Sequence, residues 1–94
     1  MLPLMREASA TLHEQTPEWT IAADGLSISR TFTFQNFVDA MDFANKITPI
    51  AEAEGHHPDL AVSWGKVQVT LMTHAIGGLS ENDFILAAKI DLIQ

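Results

Sequence analysis

Apolar residues along this chain change their spacing several times, and each spacing implies a different element. Leu4, Ala8 and Leu12 recur at every fourth position, on one face of a short helix near residues 4–15 that Pro17 stops. Trp19 to Ala22 reads as a short strand, and Asp24-Gly25 is a turn signal. Leu26, Ile28, Phe32 and Phe34 then alternate with Ser27, Ser29, Thr31 and Thr33, a period of two that predicts a strand with one buried face. Arg30 falls in the apolar phase of that strand. It is expected near an edge, with its charge reaching water or paired with a carboxylate.

A helical period returns at Asn36, which can cap a helix with Asp39 three residues on. Phe37, Ala40, Met41, Ala44 and Ile47 form its apolar stripe. Pro49 removes a backbone donor and predicts a kink, after which the helix resumes to about Glu54, with Gly55 just past its end. Leu60, Val62 and Trp64 alternate with small residues, Trp64-Gly65 makes a tight turn, and Val67, Val69 and Leu71 alternate again. This is a second hairpin, ended by Gly77-Gly78. Ser80 as N-cap, Asp83 at N3 and a Leu79–Phe84 staple open a last helix. From Ile85 to Ile93 that helix has little polar face. It is therefore expected to be buried on two sides, one of them against another subunit. The order α-β-β-α-β-β-α predicts an α+β fold, an antiparallel sheet with helices packed on one face.

Composition narrows the function classes. The chain has 94 residues, 47% of them apolar and 18% charged, enough for one packed domain over 1–94 and too little polarity for disorder. A domain this small gains from oligomerisation. A formal net charge of -7 argues against nucleic acid and against anionic membranes as partners. With no cysteine there is no disulfide, thiolate catalysis or Cys-bound zinc. The first residues carry no basic, apolar leader, and no apolar run approaches ~18 residues, so a soluble cytoplasmic protein is expected.

Histidine carries the candidate chemistry. If the strands on either side of Trp64-Gly65 pair, Pro58 lies roughly opposite Thr73, and His56, His57 and His74 converge at one end of the sheet. Three readings compete. Imidazole exchanges protons near neutral pH, which suits general acid–base catalysis. Three histidines with Glu52 could instead hold a metal, but Pro58 keeps His57 extended, so His56 and His57 point to opposite faces and chelate one ion poorly. The third reading is polar residues at loop ends. Glu52 is four residues before His56 and shares a helix face with it, placed to orient or charge that ring, or else is a solvated helix-end acid. Asp83 is already explained as a capping residue, Trp19 and Trp64 as core or turn packing ahead of the alternative of a stacking platform, and His13 as a surface residue of the first helix.

Glu52-Ala-Glu-Gly-His56-His57-Pro58, then Trp64, His74 and Asp83, resembles the signature of the pterin-4a-carbinolamine dehydratases. Three residues separate Glu52 from His56, five Pro58 from Trp64, nine Trp64 from His74 and eight His74 from Asp83. Trp19, Ile28-x-Arg30-x-Phe32-x-Phe34, Thr73-His74 and Gly78-Leu79-Ser80 are similar too, so the likeness runs from about Trp19 to the C-terminus. Pro49 departs from the family pattern. The resemblance implies a four-stranded antiparallel sheet and dehydration of 4a-hydroxytetrahydropterin to quinonoid dihydropterin, without metal or organic cofactor, in support of aromatic amino-acid hydroxylases. It implies His56 and His74 as general acids and His57 in binding or base action. Glu52, the Met72-Thr73 backbone and Asp83 are its expected pterin contacts. Independently of the resemblance, the apolar last helix leads to the expectation of a homodimer or homotetramer through that helix. Two alternatives from other classes stand beside the dehydratase. One is a non-catalytic dimerisation or assembly module of the same fold, as some relatives are, and the other is a metal-dependent hydrolase.

Overall fold

A computed structural model of the chain describes residues 3–93. The elements are α1 (Arg6–His13), β1 (Thr20–Ile21), β2 (Ile28–Thr33), α2 (Phe37–Glu54), β3 (Asp59–Ser63), β4 (Lys66–Leu71), a 3-10 turn (His74–Ile76) and α3 (Glu81–Asp91). The order of helices and strands is the expected α-β-β-α-β-β-α, with the 3-10 turn as an addition. One antiparallel sheet contains all four strands in the order β1-β2-β4-β3.

Period-two alternation sets the faces. Ile28, Arg30 and Phe32 of β2 lie opposite Leu71, Val69 and Val67 of β4, and Leu60 and Val62 of β3 lie opposite Val69 and Val67. This face is covered by α2 and α3. Ile28, Phe32, Val67, Val69 and Leu71 join Phe43, Ile47, Leu79, Phe84, Leu86 and Ile90 in one core, with Val62 packed against it, while Leu60 on the edge strand stays exposed. A fully buried aliphatic side chain contributes roughly 1.5–3 kcal/mol. The opposite face carries Thr31, Thr33, Ser63, Lys66 and Gln68, all exposed. Arg30 takes the ion-pair alternative. β1 flanks only Ile28 and Ser29 of β2, so Arg30 reaches past the sheet to Asp91 at 2.8 Å, with its guanidinium 4.4 Å from the Phe32 ring centroid. Asp91 also accepts from the indole N–H of buried Trp19 at 2.8 Å.

Several local expectations shift. α1 starts later than expected because Leu4 is held outside it, its N–H donating to the Leu79 carbonyl at 2.8 Å. The inward helix position is then Ser9, and Ala8 is exposed. Leu26 belongs to the turn, since its N–H donates to Asp24 Oδ1 at 2.9 Å. Phe37 is exposed, and Phe43 fills the core in its place, with ring centroids 4.5 Å from Phe32 and 5.1 Å from Phe34. α2 runs unbroken through Pro49. Both Pro49 and Asn45, whose carbonyl loses its donor, are exposed, so water can satisfy the orphaned oxygen. Trp64 is neither core nor packed turn: it is 72% exposed at the hairpin tip, where Gly65 takes φ +76°. His13 is half-buried, its ring Nε2 bonded to the Trp19 carbonyl. Among the described residues, no helix is long and apolar enough to cross a membrane.

Candidate functional site

Gly55 ends α2 in the left-handed region at φ +61°, and the His56 N–H then turns back to the Ala51 carbonyl at 3.1 Å. That reversal aims the His56 ring at the start of α3. Its Nε2 lies 2.5 Å from Asp83 Oδ1, with the side chains 12% and 0% exposed. Asp83 caps α3 with its other oxygen, Oδ2 accepting the Ser80 N–H at 2.9 Å within a closed capping box. Oδ2 also accepts the Thr73 hydroxyl at 2.9 Å, and Thr73 Oγ1 is 2.7 Å from Ser80 Oγ.

The neighbouring histidine faces elsewhere. His57 Nε2 contacts Glu52 Oε2, with these side chains 66% and 67% exposed. Glu52 thus partners His57 rather than His56: the Gly55 turn carries His56 off the helix face that Glu52 occupies, and His57, in extended backbone, swings back over it. His74 Nε2 is 3.9 Å from Asp59 Oδ2, too far for a hydrogen bond, and both are largely exposed.

Register explains how the three histidines come together. β3 and β4 pair with Asp59 opposite Thr70 and Ser63 opposite Lys66, closing over the two-residue turn Trp64-Gly65. Extending that register puts Pro58 level with Leu71, two positions short of the expected Thr73. A slip of two preserves the side-chain faces, and His56, His57 and His74 still reach the same end of the hairpin, with Asp59 and the Thr73–Asp83 contact between them. The chain beyond Leu71 is not the extended strand expected. Thr73 donates to the Gly78 carbonyl at 2.8 Å and its own carbonyl accepts from Ile76 at 3.1 Å, so the 3-10 turn has consumed the Thr73 backbone groups expected to be free for a pterin.

A hollow of about 170 Å³ beside His57 is lined by Ile47, Ala51 and Leu60 together with Glu52 and His57, and His56 and His74 are not part of its lining. Larger concavities, of about 420 and 380 Å³, lie elsewhere and contain no histidine, so chemistry rather than size selects the site. Among the described residues no group of three or more His, Asp or Glu is disposed to hold a metal ion. Asp59 was not among the residues the sequence marked. Ser80 was marked there only as the N-cap of the last helix, and the structure adds its hydroxyl contact to Thr73.

Fold and site together define a small α+β protein with a histidine and carboxylate cluster at the open end of one hairpin. The family model described as pterin 4 alpha carbinolamine dehydratase matches residues 3–93. A protein of Halorhodospira halophila, provisionally named pterin-4-alpha-carbinolamine dehydratase, is 47% identical over 91 residues, 97% of this chain and 84% of its own. One of Aromatoleum aromaticum with the same name is 50% identical over 91 residues, 96% and 81% of the two chains. The crystal structure of a transcriptional coactivator/pterin dehydratase from Brucella melitensis matches with a TM-score of 0.90 at 28% identity, over 97% of each chain. A pterin dehydratase-like RuBisCO assembly factor of the alpha-carboxysome shares the fold, with a TM-score of 0.68 at 19% identity over 81% and 88% of the chains. This chain belongs to the pterin-4a-carbinolamine dehydratase family, whose enzymes are hydro-lyases.

Proposed function

We propose that the chain dehydrates 4a-hydroxytetrahydropterin to quinonoid dihydropterin by histidine acid–base catalysis, in the cytoplasm, as the recycling step for aromatic amino-acid hydroxylation. The reaction needs a proton delivered to the 4a hydroxyl and one removed from N5. Both transfers suit imidazole, and each well-placed group contributes typically ~10²–10⁴-fold. The observation that supports this most is the gathering of His56, His57 and His74 at one hairpin end, each beside a different carboxylate. A flat bicycle resting on the apolar hollow meets Glu52 and His57 at once. His74, with only a distant partner, is free to move protons, and Met72 offers backbone contacts to the pterin edge. Asp83 and Thr73 act through His56 rather than on the pterin, since both Asp83 oxygens are taken within the protein.

The test is carbinolamine decay with wild type and with His56→Ala, His57→Ala and His74→Ala. At least two of the three variants are expected to lose ~10²-fold or more in turnover. Wild-type rates in all three would remove the acid–base assignment.

The assembly proposed is a dimer or tetramer through α3. Asp83, Phe84, Leu86, Ala87 and Ile90 of that helix are buried in its own chain, while Ile85 and, at its C-cap, an 83% exposed Leu92 face outward. Light scattering of Ile85→Glu/Leu92→Glu is expected to give a smaller particle than wild type. A wild-type monomer at micromolar concentration, or an unchanged particle in the variant, would remove this interface. A non-catalytic assembly role is the second reading. It is favoured by the match to a coactivator/pterin dehydratase and by the exposed Trp64.

A further inference from the structure

A carboxylate such as that of Asp83 has no proton to donate, so every neighbour within hydrogen-bond distance must be a donor. Oδ2 receives the Ser80 N–H and the Thr73 hydroxyl, each at 2.9 Å. The single proton of Thr73 is thereby committed, so the 2.7 Å contact between the two hydroxyls has Ser80 as donor and Thr73 as acceptor. Oδ1 is left with one neighbour, His56 Nε2 at 2.5 Å, which must carry its ring proton there. Among the described residues His56 Nδ1 has no hydrogen-bond partner and is not one of the buried unpaired atoms, so it meets solvent.

We propose that Thr73 and Ser80 are positioning residues that orient the Asp83 carboxylate, fix His56 as its Nε2–H tautomer, and thereby make Nδ1 the nitrogen that exchanges protons with the substrate. The tautomer half of this stands on geometry, and the kinetic half rests on the proposed acid–base function. Neither hydroxyl touches the reactants. Together with the Ser80 N–H they decide which carboxylate oxygen faces the ring, as a buried aspartate orients the histidine of a serine-protease triad. Asp83→Asn exposes the logic. The two donors at the Oδ2 position would hold the amide carbonyl there and turn the NH₂ toward His56. Nε2 would then have to accept, and the ring proton would move to Nδ1.

The experiment is ¹⁵N NMR of the His56 ring in the substrate-free protein, at a pH where the ring is neutral, alongside steady-state kinetics. Wild type is expected to show a protonated-type shift at Nε2 and an unprotonated-type shift at Nδ1, and Asp83→Asn the reverse. Thr73→Val is expected to lower kcat about tenfold with KM within about twofold, and Thr73→Ser, which keeps the hydroxyl, to restore it. A wild-type ring protonated on Nδ1, or an Asp83→Asn ring still protonated on Nε2, would overturn the tautomer assignment. A Thr73→Val effect confined to KM would make Thr73 a binding residue and overturn its positioning role. If wild type shows no dehydration at all, the proposed function fails while the NMR result still decides the tautomer.

Discussion

Adjacent histidines in this chain live under opposite conditions. His56 is nearly buried against a carboxylate that no solvent reaches, and that carboxylate is held by two further donors from the segment entering α3. His57, one residue on, lies in the open against an equally open Glu52. The residue types are the same, and the difference comes from the Gly55 turn, which sends one ring inward and leaves the next in extended backbone. Burial raises the cost of any unmet polar group, so the inner pair must be fully satisfied to exist at all, whereas the outer pair can break and re-form against water. One region is built to hold a ring still and the other to let a ring move, a division that the proposed acid–base function would use.

The inner pair gives the largest expected effect. Asp83→Ala removes the partner of a nearly buried imidazole, strips the acceptor from Thr73 and undoes the capping box of α3. Losing hydrogen bonds to a buried charged acceptor typically costs about 1.5–3 kcal/mol, and losing a helix cap about 1 kcal/mol more. A urea midpoint shifted by about that energy, with an unchanged slope, is the expected result. A loss under about 1 kcal/mol would mean that the inner corner is no better fastened than a surface pair, and the contrast between the two histidines would collapse.

The same contrast explains what could be read in the sequence. Period-two alternation placed Val67, Val69 and Leu71 inward, the Ser80–Asp83 spacing marked the start of α3, and the hairpin brought the histidines to one end. These follow from local rules that tertiary contacts reinforced. The His56–Asp83 pair was not legible, because it joins residues twenty-seven apart through a glycine turn whose direction no periodicity encodes. Helix spacing instead suggested Glu52 for His56, a rule that holds only while the chain stays helical, and the helix ends at Glu54. The 3-10 turn after β4 was invisible for a similar reason. Three residues carry no period, and its closure depends on Gly77 in the left-handed region at φ +64°. The expected stripe put Phe37 inward and omitted Phe43, whereas Phe43 is the buried one, because where α2 crosses the sheet decides between them and helical period does not fix that crossing.

The outer pair sharpens the comparison from the other side, with the smallest expected effect. Glu52→Gln keeps the size of the side chain and removes its charge beside His57. Both groups are about two-thirds exposed, so water screens the attraction, and fixing two mobile side chains offsets much of what remains. The loss in folding stability is expected to be about 0.5 kcal/mol or less, and to fade further between low salt and ~1 M salt, where the screening length falls to about 3 Å. The salt comparison separates the causes. A stability change that is small and salt-sensitive is electrostatic, as an open ion pair demands. A change near that of Asp83→Ala, or one indifferent to salt, would mean that Glu52 is fastened into the wall of the hollow through contacts other than charge. The outer histidine would then be held as firmly as the inner one, and the freedom assigned to it would have no physical basis.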